Sequence, residues 1–192
     1  WTLSRGLGDV YKRQLKNRFV LYRPSPDDVA TAFSRSKHMG VTFGSYTKGS
    51  GRMTGFLGEI AFSAFADPCD YVGDSSYTHD FEVDGIKVDV KSKICSTPPK
   101  LEYVATVNQA AKKELEADLY FFTRVSKDFS KVWLLGWATS QAVVSPKYYK
   151  EKGETDSTGF TYLCDGYHLP IKNLRRPDSF ASFRQYRKKT LD

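Results

Sequence analysis

Residues His79 to Lys93 read HDFEVDGIKVDVKSK. Asp84-Gly85 is a two-residue hairpin signal, because both central positions of a type I′ turn require φ > 0. A turn placed there fixes the register. Val83 faces Ile86, Glu82 faces Lys87, Phe81 faces Val88 and Asp80 faces Asp89. Phe81, Val83, Ile86, Val88 and Val90 then share an apolar face, and Asp80, Asp89 and Lys91 share the other. Directly opposed side chains lie roughly 4.5–5.5 Å apart at Cβ, so two carboxylates there repel. A divalent cation with oxygen ligands between them removes the repulsion, and Lys91 stands two residues along on the same face.

Composition limits what such a hairpin can belong to. The chain has 192 residues, 40% of them hydrophobic, enough to bury one sizeable core. No apolar run approaches the ~18–20 residues that a membrane helix needs, and the N-terminus lacks the apolar segment of a secretory signal. Cys69, Cys95 and Cys164 are widely spaced and odd in number, which argues against a disulfide framework or a zinc ribbon and for a reducing, cytoplasmic setting. The net charge of +7 favours an anionic partner, with nucleic acid foremost and no membrane. Lys48 and Arg52 flank Gly49-Ser50-Gly51, and Arg175, Arg176, Arg184, Arg187, Lys188 and Lys189 crowd the C-terminus, so both segments are expected to grip that partner. The first fourteen residues, WTLSRGLGDVYKRQ, differ from the rest and resemble translated sequencing-adaptor sequence. Residues 1–14 are read as a non-native or disordered extension; without them the charge is still +5.

Working outward from the hairpin, Ser25-Pro26-Asp27-Asp28 predicts a capped helix start, with the helix running to Lys37. Residues 40–51 read as a loop, with a short strand at 41–43. Leu57, Ile60, Ala61, Ala64 and Phe65 form the stripe of a second helix over 56–66, widened by Phe56 and Phe62 and ended by Asp67-Pro68. Strands are expected at 77–83 and 86–94, a third helix over 102–117, and an antiparallel pair at 119–125 and 131–138. Thr139 caps a short helix, 147–159 reads as mobile, 167–171 is a last strand, and Ser179 opens a C-terminal helix. Without repeats or a linker, residues 15–192 read as one α/β domain.

The order helix (Glu59), strand (Asp80), strand (Asp89-Val90-Lys91), helix (Gln109), strand, strand resembles the PD-(D/E)XK nuclease superfamily. The resemblance covers about 54–138. It implies a restriction-endonuclease-like αβββαβ core, a central mixed sheet flanked by helices, here with extra N- and C-terminal helices. Asp80 matches the motif's first acid, Asp89 the second, Lys91 its lysine, and Glu59 the acid on the preceding helix. His79, not proline, precedes Asp80.

The chemistry implied is phosphodiester hydrolysis with Mg²⁺, and Mn²⁺ as substitute, held by Asp80, Asp89, the Val90 carbonyl and Glu59. Lys91 orients water or phosphate and stabilises charge. Lys93 and Gln109, with Lys48 and Arg52, are candidate nucleic-acid contacts. DNA is the expected substrate, with RNA the alternative, and two-strand cutters of this family often act as homodimers, in phage or bacterial settings. The competing readings are a nucleic-acid-binding module of the same fold without turnover, and an interaction protein whose Asp89 and Lys91 are ordinary solvent-facing charges.

Overall fold

The computed structural model describes residues 18–38, 51–73, 76, 78–108, 117–157 and 159–191. The extension at 1–14, the expected strand at 41–43, and Lys48 and Gln109 lie outside the described residues.

The hairpin forms as its sequence dictates. Asp84 and Gly85 have φ of 50° and 72°. β3 (Phe81–Val83) and β4 (Ile86–Cys95) pair as Val83 with Ile86, Glu82 with Lys87 and Phe81 with Val88. β4 anchors a mixed sheet. β6 (Leu119–Ser126) lies parallel to it along Val88–Cys95, while β7 (Val132–Thr139) pairs antiparallel to β6. β1 (Val20–Tyr22) closes one edge against β7, and β2 (Asp70–Tyr71) closes the other against β3. The strand order is β1-β7-β6-β4-β3-β2. β6 is buried on both faces, which explains its nearly unbroken apolar reading, LYFFTRV.

Helices cover one face. α1 (Pro26–His38) starts at a reciprocal cap: Asp28 N–H donates to Ser25 Oγ at 3.1 Å, and Ser25 N–H donates to Asp28 Oδ2 at 2.7 Å. α2 (Arg52–Ala66) buries Phe56, Leu57, Ala61 and Phe62 against Phe81, Val88, Val90 and Phe121. α4 (Ser179–Leu191) adds Phe180, whose ring centroid lies 5.8 Å from that of Phe62. Arg184 of α4 binds the hairpin tip through Asp84 Oδ2 at 2.8 Å, and also donates to the Ala66 and Pro68 carbonyls.

The other face departs from the sequence-based expectation of helices on both sides. A second antiparallel sheet lies there, in the order β5-β9-β8: β5 (Val104–Asn108), β9 (Gly166–Pro170) and β8 (Tyr149–Lys150). Ala105, Val107 and Leu169 pack with Tyr120, Phe122 and Leu135 of the main sheet, together with Val143 from α3 (Ser140–Val143). The helix expected over 102–117 is therefore a strand at 104–108, with 109–116 outside the described residues. Val-Ala-Thr-Val buries Ala105 and Val107 and turns Thr106 to the other side, a period of two. The segment expected to be mobile contains β8 and, at Thr155, a bridge to Thr161. Among the described residues no helix is long and apolar enough to cross a membrane.

α2 approaches the sheet most closely at Gly58. A Cβ built there would collide with Ser92 Oγ and come within 2.6 Å of Thr123 Oγ1. Gly58→Ala is expected to destabilise the fold by about 1–3 kcal/mol through overpacking. Adding Ser92→Gly should recover part of that loss, read from urea-unfolding midpoints; a single variant as stable as wild type would show that the helix is free to shift.

Candidate active site

The hairpin ladder stops one rung short of its acids. The expected pair, Asp80 opposite Asp89, is not made. Asp80 N–H instead donates to the Val88 carbonyl at 3.0 Å. The Asp80 carboxylate turns in and its Oδ2 accepts from Val90 N–H at 2.7 Å. A direct rung would press two carboxylates together; the shift gives one of them a backbone donor. Beyond Val88, β3 and β4 diverge, and the Asp80 side chain occupies the gap beside the Asp89–Val90 peptide. A strand residue directs its N–H and C=O to the same edge. The Val90 carbonyl therefore opens onto the gap that holds Asp80.

Asp89 is buried on β4, in register with Tyr120 of β6. Lys91, two residues on, straddles its carboxylate, with Nζ 2.7 Å from Oδ1 and 2.6 Å from Oδ2. The ammonium lies 5.9 Å from the Tyr120 ring centroid. Burial alone would lower the Lys91 pKa, but Asp89, Asp80 and Glu59 outweigh it and hold the side chain above its usual range. Lys91 is thus a firm cation here. Asp80 goes the opposite way. Burial, then the charges of Asp89 and Glu59, push it from 3.8 up to about 8, against the smaller opposing effects of Lys91 and the Val90 N–H.

Glu59 enters from α2. Its charge reaches Asp80 and Lys91, and it pairs with Arg35 of α1, whose Nη2 lies 3.5 Å from Glu59 Oε2. Arg35 is sandwiched between rings, 4.3 Å from the centroids of both Phe56 and Tyr71, and donates to the Tyr71 hydroxyl. Nothing local in the sequence marks Arg35, because the pairing joins separate helices.

The remaining expectations separate. Arg52 Nη1 donates to the Ser36 carbonyl at 3.4 Å, tying the start of α2 to α1. Lys93 lies further along β4 on the Lys91 face, in register with Arg124. The basic C-terminus is partly committed to the fold. Arg175 stacks over Trp137 at 4.8 Å, Arg176 pairs with Asp178 at 3.1 Å, and Arg184 holds the hairpin tip. Those three make contacts within the fold.

Among the described residues no group of three or more His, Cys, Asp or Glu side chains is gathered closely enough to hold a metal ion. The donor set nevertheless suits a hard cation. Asp80, Asp89 and the Val90 carbonyl offer oxygen only, and burial, with the charges of Asp89 and Glu59, makes Asp80 costly to ionise, a cost that a cation would relieve. Glu59, turned toward Arg35, stands behind that set. No protein-family model and no curated protein matches this chain.

The Asp80 shift has a pH signature. In metal-free protein the native state keeps this proton to about pH 8, whereas an ordinary aspartate loses it near 3.8. The stability this group contributes is complete below the lower value and is lost as pH rises through the higher one. Asp80→Asn keeps an acceptor for Val90 N–H without the charge. It should stabilise the metal-free protein at pH 8 by about 1–4 kcal/mol, with a much smaller gain at acid pH. Urea midpoints in chelator across this range test it; a pH slope equal to wild type would remove Asp80 as its source.

Proposed function

We propose that this chain is a metal-dependent nuclease of the PD-(D/E)XK type that hydrolyses phosphodiester bonds in DNA. One observation carries the reading: Asp80, Asp89 and Lys91 converge where the hairpin opens, with Glu59 behind them. The order of α2, β2, β3, β4 and then parallel β6 supports a restriction-endonuclease-like core, and the charge of +7 supports a polyanionic substrate.

Asp80, Asp89 and the Val90 carbonyl would hold Mg²⁺ or Mn²⁺. The bound ion polarises a phosphoryl oxygen and lowers the pKa of its water. Lys91 is held protonated, chiefly by Asp89, so it serves as a donor rather than a base. Released from Asp89, its ammonium can donate to a non-bridging phosphate oxygen or to the attacking water, and so stabilise charge that develops in the transition state. Glu59 adds a smaller effect that also keeps Lys91 charged, and Arg35 pairs with Glu59.

The test is incubation of the chain with plasmid, linear and single-stranded DNA and with RNA, in Mg²⁺ or Mn²⁺, with and without chelator. Metal-dependent DNA cleavage is expected. Asp89→Ala and Lys91→Ala should each slow it on the order of 10²-fold or more. A wild type inert on every substrate overturns the proposal, and cleavage confined to RNA overturns the assignment to DNA.

A further inference from the structure

β4 carries a second pair of like charges, of the opposite sign. Lys93 on β4 lies in register with Arg124 on β6, and cations opposed across neighbouring strands repel as acids do. Arg124 is buried; its Nη2 donates to the Val104 carbonyl at 2.7 Å and its guanidinium lies 5.9 Å from the Tyr103 ring centroid. Among the described residues no carboxylate pairs with it. Among the described residues the Lys93 side chain makes no hydrogen bond or ion pair.

The neighbouring sheet adds a donor with the same need. His168 on β9 has a buried Nε2 without a hydrogen-bond partner, while its Nδ1 lies 3.2 Å from Thr106 Oγ1. Burial, then the charges of Lys93 and Lys150, keep its pKa down at about 4. Burial and Arg124 likewise lower Lys93. Lys150 is matched by Glu154, and among the described residues no carboxylate pairs with Lys93 or Arg124 where the two sheets meet. The spacing gives this excess a use. Two residues of strand separate Lys93 from Lys91, a rise of about 6.6 Å, comparable to the step between successive phosphates of one nucleic-acid strand.

We propose that Lys93 and Arg124, with the His168 ring beside them, form a second phosphate site that holds the phosphodiester next to the one at the Asp80–Asp89 centre. That the neighbouring phosphate is the scissile one rests on the nuclease reading; the anion site itself does not.

Binding without turnover tests it. A short labelled single-stranded oligonucleotide is titrated in chelator by fluorescence anisotropy at several salt concentrations, with inorganic phosphate as competitor. Lys93→Ala should weaken binding roughly 5–10-fold at low salt and flatten the salt dependence by about one charge, and Lys93→Arg should restore both. Arg124→Lys should weaken binding in the same direction. It keeps a donor near the Val104 carbonyl, and a thermal melt shows whether it folds. Wild-type affinity and salt slope in folded Lys93→Ala overturn the proposal, as does a wild type that binds no oligonucleotide. Loss of phosphate competition alone, with oligonucleotide binding unchanged, overturns the strand assignment in favour of a free-anion site. The two readings separate cleanly. A chain that binds through Lys93 but never cleaves refutes the nuclease and keeps this site; one that cleaves while Lys93→Ala binds as wild type does the reverse.

Discussion

The hydrogen bond from Val90 N–H to the Asp80 carboxylate decides what β4 becomes. On its other edge β4 is an ordinary strand, paired with β6 from Val88 to Cys95. Toward β3 it pairs over three residues only, and the next donor is taken by a side chain. Had the ladder continued, the edge would be closed and two aspartates would face each other. Ending it at Val88 leaves a cleft lined by carboxylate and carbonyl oxygen while the apolar side of the hairpin stays packed under α2. One strand is thereby structural on one face and chemical at one edge.

Charge along β4 is sorted rather than mixed. The acids gather near Asp89, and Lys91 neutralises them in part. Two residues on, Lys93 and Arg124 form a cationic counterpart that no acid among the described residues pairs with. Asp89 and Arg124 are buried, where charges interact more strongly than on a surface, whereas Lys93 is exposed. Opposite shifts mark the two ends: Asp80 is held protonated well above the usual carboxylate range, and Lys93 is held below the usual lysine range. Both ends are poised to accept a charge of the other sign.

Much of this was legible before any coordinates. The hairpin, its turn and its apolar face follow from a strict period of two around Asp-Gly, and β6, β7, α1 and the start of α4 follow from equally regular patterns. Asp89 and Lys91 could be placed together because a strand puts alternate residues on one face. The turn of Asp80 away from its rung could not be read, because it depends on a backbone donor competing with a like charge. Of the second sheet only β9 follows from the sequence, as the strand at 167–171; β8 is two residues long and β5 hides in a segment with helix formers on both sides. Arg35 and Arg124 were passed over for another reason: each takes its meaning from a neighbour on a different element, Glu59 for the one and Lys93 for the other.

The latch at Arg184 bears on how the molecule assembles. Its partner at the hairpin tip, Asp84, is 100 residues away in the chain. A hairpin closes in about 1–10 μs, so β3 and β4 can meet early. Their tip is fastened to α2 only after a loop of that length has closed, a search whose entropic cost delays contacts remote in sequence. The acid-bearing ribbon is therefore built from local information and secured by distant information, and its final geometry comes late in the order of folding events.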